Sequence, residues 1–173
     1  NQSLDGDQFG KAVSLDGNRL AVGAQYDDGA TSNNRSNAGA VYLYTFSNST
    51  FSGGALAARI GYGYTGGKNI NQSLDSGDRF GMAVSLDGNS LAVGAPYADG
   101  SSYRSSSGEV HIYTFTDSVF SGGERDATIG YGYSGGNNVN NSALSNYDGF
   151  GASVSLDNNR LAVGAPWADG FVG

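Results

Sequence analysis

Asp5 and Asp7, Asp75 and Asp78, and the single Asp148 each stand just ahead of a Phe-Gly dipeptide. Carboxylates two or three residues apart beside glycine are the pattern that shares a calcium ion with backbone carbonyls. The same residue types are turn formers, as in Asp28-Gly29, Asp99-Gly100 and Asp169-Gly170, and the third copy offers only Asp148. Tyr26, Tyr97 and Trp167 form a second set, each sitting just before an Asp-Gly turn. Aromatic side chains ringing a loop face suit stacking on a sugar or anchoring a protein partner. The plainer reading is that they cap the neighbouring sheet. The Gly-Tyr-Gly-Tyr segments, Gly61 to Tyr64 and Gly130 to Tyr133, pose the same choice.

Other chemistries lack their residues. His111 is the only histidine, and its counterpart in the sister repeat is Tyr42, an exchange a catalytic base would not survive. It reads as a packing residue. Cysteine is absent, so no thiolate nucleophile, disulfide or thiolate metal site exists. The glycine-rich stretches do not open a helix, as a phosphate loop must. No serine is framed as in a hydrolase elbow. The sequence therefore points to a non-enzyme with no required cofactor. Asn34-Arg35-Ser36 and Asn48-Ser49-Thr50 match the glycosylation triplet, which arises by chance in Asn/Ser-rich chains.

The elements that must position these residues repeat along the chain. Phe9-Gly10 returns as Phe80-Gly81 and Phe150-Gly151, and Leu20 to Ala24 returns as Leu91 to Ala95 and Leu161 to Ala165. Residues 1–70 and 71–140 are two full units and 141–173 the first half of a third, together one repeat domain. Each unit reads as four short antiparallel strands. The first, Phe9 to Leu15, alternates large and small residues, and Asp16-Gly17-Asn18 turns it into Arg19 to Ala24. A third strand covers Ala40 to Phe46 and Glu109 to Phe115. The fourth lies around Ala57 to Tyr64 and Ala127 to Tyr133. Nothing has a helical period, so the chain is all-β.

In the third strand Val41 and Leu43 point one way and Tyr42 and Tyr44 the other, so both sheet faces demand cover. One four-stranded sheet cannot cover itself, whereas stacked copies can. Gly10, Ala12, Ser14, Ala21 and Gly23 put small residues on one side, which suits sheets crowding closely.

Glycine accounts for 29 of 173 residues, but two prolines and a normal apolar share argue against disorder. The net charge of −7 and pI of about 4.3 disfavour nucleic acid. No apolar run is long enough for a spanning helix. The opening Asn1-Gln2-Ser3, without initiator or signal peptide, reads as a processed or excised chain.

Phe-Gly followed by Gly-Ala-Pro resembles the FG-GAP repeat family, whose best-known members build the propeller of integrin α-subunits and which has many bacterial extracellular versions. The matching residues are Phe9-Gly10 with Gly23-Ala24 (Gln25 replacing Pro), Phe80-Gly81 with Gly94-Ala95-Pro96, and Phe150-Gly151 with Gly164-Ala165-Pro166. The resemblance implies β-propeller-like blades, here about two and a half, and an extracellular or cell-surface adhesion or surface-binding module within a larger secreted protein. Its partners would be neighbouring repeats or other copies, and a surface protein or glycan. The calcium loop of many family members is reduced here to Asp16-Gly17-Asn18 and its copies, too few oxygens for the ion. A propeller of four to eight blades needs more chain than this. The expected outcomes are a fragment, an open array, or a structural protomer completed by other copies into a ring or filament.

Overall fold

The structure is a computed structural model, and it describes residues 6–30, 35–102 and 104–169. Among the described residues twelve strands build three sheets. Blade 1 contains β1 (Phe9–Asp16), β2 (Arg19–Ala24), β3 (Ala40–Thr45), β4 (Ala55–Gly61) and β5 (Ile70–Asn71), hydrogen-bonded in chain order. Blade 2 repeats this with β6 (Ala83–Asp87), β7 (Ser90–Ala95), β8 (Glu109–Thr114), β9 (Glu124–Gly130) and β10 (Val139–Asn140). Blade 3 is the hairpin of β11 (Ser153–Asp157) and β12 (Arg160–Gly164). No helix occurs among the described residues, and the sheets do not close into a barrel.

The first four strands of each full blade are antiparallel, as the sequence predicts. Two-residue turns join the first pair, with Asp16 opposite Arg19, Asp87 opposite Ser90 and Asp157 opposite Arg160. The fourth strand begins and ends earlier than its apolar pattern suggests, at Ala55–Gly61 and Glu124–Gly130. A one-residue irregularity at Leu43/Tyr44, and again at Ile112/Tyr113, leaves Ala57 and Asp126 out of the pairing with β3 and β8. The sequence also missed a fifth, two-residue strand. β5 and β10 pair in parallel with β4 and β9, through Ile70 opposite Ile60 and Val139 opposite Ile129. Such short strands carry no alternation to read.

Two of the three buried clusters lie between blades, and the third, with Val22, Ala24, Ala40, Tyr42 and Tyr64, lies within blade 1. Ala21, Val41, Leu43 and Ile60 of blade 1 meet Phe80, Val84, Leu86, Leu91, Val93 and Tyr113 of blade 2 in one buried cluster. Ala92 and Val110 of blade 2 meet Phe150, with Val154, Leu156, Leu161 and Val163 packed against them. At each of the two junctions the first two strands of one blade thus present small residues, and the first two strands of the next blade present large ones. The Ser14 hydroxyl accepts a bond from Leu86 N (2.9 Å), and Ser85 accepts one from Leu156 N (2.9 Å). Asp16 of the first turn accepts from Gly88 N (3.0 Å), and Asp87 accepts from Asn158 N.

Candidate functional site

The seam between blades is built from the recurring glycines. A Cβ on Gly23 would lie 1.9 Å from Gly81 O, and one on Gly94 would lie 1.9 Å from Gly151 O. A side chain there cannot coexist with the carbonyl of the next blade's Phe-Gly. Gly39 and Gly108 are pressed in the same way onto the Phe80 and Phe150 carbonyls, at 2.1 Å each, and bridge to those residues. Phe80 N donates to Ala38 O and Phe150 N to Ser107 O, both at 2.9 Å. The two dipeptides of the repeat are therefore two halves of one inter-blade joint.

The predicted calcium aspartates sit beside this joint. Asp5 lies outside the described residues. Asp78 accepts the Asp75 N–H at 2.7 Å, and Asp148 accepts the Ser145 N–H at 2.7 Å. Asp7, Asp78 and Asp148 are all buried and occupy one repeat position. Asp78 and Asp148 fasten the loop that leads into the Phe-Gly of blades 2 and 3. Asp75 is exposed and forms an ion pair with Arg35. No group of three or more His, Asp or Glu converges for a metal among the described residues. Asp78 and Asp148 are thus bonded to backbone N–H groups and Asp75 to an arginine.

A polar cavity of about 320 Å³ opens near Asp78, walled by Asp75, Asp99, Glu109, His111, Arg125 and Tyr133. His111 Nε2 lies 2.8 Å from Glu109 Oε1, and Nδ1 lies 3.3 Å from the Thr128 hydroxyl. The Tyr133 hydroxyl donates to the other Glu109 oxygen. Burial would raise the Glu109 carboxyl, but the His111 imidazole and Tyr133 hydroxyl outweigh it and hold the group below its usual range. Asp78 goes the other way: burial, then the neighbouring Glu109 and Asp75 charges, push it up to about 7 against the bond from Asp75 N. His111 itself is buried, edge-on to Phe80 at 5.4 Å, as its expected packing role requires.

Blade 1 solves the same problem from a different chain position. There the buried acid is Asp27, which accepts bonds from the Tyr42 hydroxyl (2.6 Å), the Tyr64 hydroxyl (3.0 Å) and Gly29 N (2.7 Å). Asp27 aligns with Ala98, and Glu109 aligns with Ala40. A carboxylate beneath the paired tyrosine position is thus retained, while the strand that carries it changes. A buried charge is kept only where it is bonded, so Asp27 and Glu109 act as struts. Aligning the repeats pairs acid with alanine in both directions, and that reciprocity was the signal available in the sequence.

Tyr26, Tyr97 and Trp167 do come together. They occupy one rim across the three blades, with Tyr26, Tyr97 and Trp167 N–H groups bonded to the Asp7, Asp78 and Asp148 carbonyls at 3.1, 3.4 and 3.3 Å. The Arg79 guanidinium stacks between Tyr26 (5.2 Å) and Tyr97 (4.0 Å). Tyr97 and Trp167 then meet at 5.7 Å and 51°. Tyr147, which the sequence did not single out, joins Tyr97, Ser106 and Trp167 around a largely apolar cleft of about 230 Å³. Tyr64 and Tyr133 of the Gly-Tyr-Gly-Tyr segments instead point inward to the carboxylate struts.

The FG-GAP repeat family matches residues 3–44, 74–113 and 142–173, two thirds of the chain and all three Phe-Gly dipeptides. A comparison with curated proteins gives no match. FG-GAP repeats are typical of extracellular, adhesion-type modules and are generally non-enzymatic. Among the described residues no helix is long and apolar enough to cross a membrane. Three ordered copies of the Phe-Gly motif, two of them closed into joints by the glycines that the close approach demands, accompany the family match: the chain belongs to the FG-GAP repeat family.

Proposed function

We propose that the chain is a non-enzymatic adhesion or surface-binding module of a larger secreted protein, and that it binds through its aromatic rim. The observation that supports this most directly is the row Tyr26, Arg79, Tyr97, Trp167, which continues unbroken over three blades and leaves Trp167 47% exposed. Large aromatic side chains held rigidly at a surface are what binding sites concentrate. The experiment is retention of the chain on immobilised extracellular-matrix proteins and glycans, comparing wild type with Trp167→Ala. Retention that falls at least about tenfold in the variant supports the reading, and equal retention defeats it.

A second reading, self-assembly, has its own observation. Phe9, Val13 and Leu15 are 40%, 64% and 53% exposed on the large-residue face of blade 1. Ser153 and Ser155 expose the complementary small-residue face of blade 3. Two such faces meet inside the chain at each blade junction, so copies docking head to tail would repeat a contact already formed. Light scattering on the eluted chain, with and without calcium, tests it: a strict monomer at high concentration removes this reading.

A further inference from the structure

The two blade junctions are lined alike and filled unequally. At the first, Leu43 and Ile60 of blade 1 and Leu86 and Leu91 of blade 2 are buried in one cluster with Tyr113, Phe115 and Phe120. These three aromatics come from β8 and the loop that follows it. Phe115 and Phe120 meet edge-on at 5.0 Å, and Phe120 lies 5.8 Å from the Arg19 guanidinium of blade 1. Lys68 of blade 1 ties down the same loop by donating to Val119 O at 2.6 Å. At the second junction the corresponding positions hold Ile112, Ile129, Leu156 and Leu161, and all four are only half-buried. They line a largely apolar cleft of about 350 Å³, with Ser90, at the position of Arg19, and Asn159 at its margin. The sheet is open beside this cleft. β2 pairs with β3, and β7 with β8, over all six of their residues. Among the described residues β12 pairs with β11 alone. Where the third strand is present, Phe46 N donates to Asn18 O (2.8 Å) and Phe115 N to Asn89 O (2.9 Å). Asn159 is the matching turn residue of blade 3.

We propose that β12 and this cleft bind an extended segment of a partner polypeptide. The segment adds to the sheet as a third strand and sets into the cleft a Tyr-x-Phe pair and a second Phe five residues after the first. The first junction is the template, because the same wall of residues is sealed there by Tyr113, Phe115 and Phe120 in that spacing. An unpaired strand edge is a ready acceptor for another strand. Main-chain bonds along such an edge give affinity, and the pocket beside it selects the side chains. The cleft is continuous with the blade 2–blade 3 contact of Val110, Phe150 and Val154, so a strand seated there extends an interface already formed. A second copy of the chain is not the donor. Its strands of this pattern, β3 and β8, are each held between two neighbours in a finished sheet. Neither Trp167 nor the open face of blade 1 takes part, so this surface is separate from the aromatic rim and from head-to-tail docking.

The probe is a fluorescein-labelled peptide of residues 108–122, which carries Tyr113, Phe115 and Phe120. Titrated with the whole chain, it should show a saturable rise in anisotropy, and amide exchange across Arg160–Gly164 should slow in the complex. The peptide with Tyr113→Ser and Phe120→Ser should bind at least about tenfold more weakly, and a peptide of the same composition in scrambled order should not bind. In the chain, Leu161→Asp should weaken binding at least about tenfold, with a melting curve confirming that the variant folds. The peptide substitutions leave the chain untouched, so they decide the matter even where that variant does not fold. No binding, equal binding of the substituted or scrambled peptide, or unaltered exchange in β12 overturns the proposal. A dimer that protects Arg160–Gly164 from exchange without any peptide also overturns it, since a second copy would then occupy the edge.

Discussion

Blade 1 and blade 2 place the same residue types at the same positions, and the two faces have opposite fates. Phe80, Val84 and Leu86 are 0%, 8% and 5% exposed, whereas Phe9, Val13 and Leu15 are largely open. The difference lies in what stands against them: Phe80 meets the small-residue face of blade 1, and Phe9 has only the edges of Tyr42 and Tyr44, at 5.4 and 6.4 Å. A residue's burial here belongs to the neighbouring repeat as much as to its own, as the nearest-neighbour energetics of repeat arrays require.

The largest test of that contrast is truncation of the two phenylalanines. Phe80→Ala should cost about 3–5 kcal/mol, because it empties a fully enclosed site, while Phe9→Ala should cost below about 1 kcal/mol. Urea denaturation midpoints of the two variants make the comparison. Glycine gives the next. Gly94→Ala drives a methyl group into the Gly151 carbonyl and should cost about 2–4 kcal/mol. Gly164 faces only the movable Ser153 hydroxyl, so Gly164→Ala should stay within about 1 kcal/mol by the same assay.

A smaller effect distinguishes the carboxylates. Asp78 has its folded pKa raised from 3.8 to about 7, so the folded chain holds more protons than the unfolded one between those values. Stability from this group is therefore greatest in acid and falls as pH rises from about 4 towards 7. Asp78→Asn should flatten that slope and stabilise the chain at pH 8 by on the order of 1–3 kcal/mol, read from melting curves across pH. Glu109, held low, acts oppositely and at lower pH: its contribution is lost as acid protonates it. The smallest expected effect is that of calcium. Millimolar calcium should leave the melting temperature unchanged, since Asp78 and Asp148 already serve backbone N–H groups. A rise of several degrees would show that the loops bind the ion.

Much of the fold was legible because the repeat was. Alternation over Phe9 to Leu15 and the Asp-Gly-Asn turn identify the first hairpin without reference to anything distant. β5 and β10 were not legible, because two residues carry no period and their pairing depends on where β4 and β9 end. The alignment of Tyr26, Tyr97 and Trp167 marked a common position, but Arg79 between the first two and Tyr147 beside the third required the fold. Those side chains come from loops preceding the next blade, and only the inter-blade joint brings them to the rim.

Taken alone, the amino-acid order determined the all-β class, the recurrence of the unit and the pairing of a large-residue face with a small-residue face, since these follow from local periodicity and from glycine recurring at fixed intervals. The tertiary structure decided which glycines are pressed against a carbonyl, which strand supplies each buried carboxylate, and where an aromatic cleft is left open. Those outcomes depend on separations of a few ångströms between segments about 70 residues apart, which no local pattern encodes.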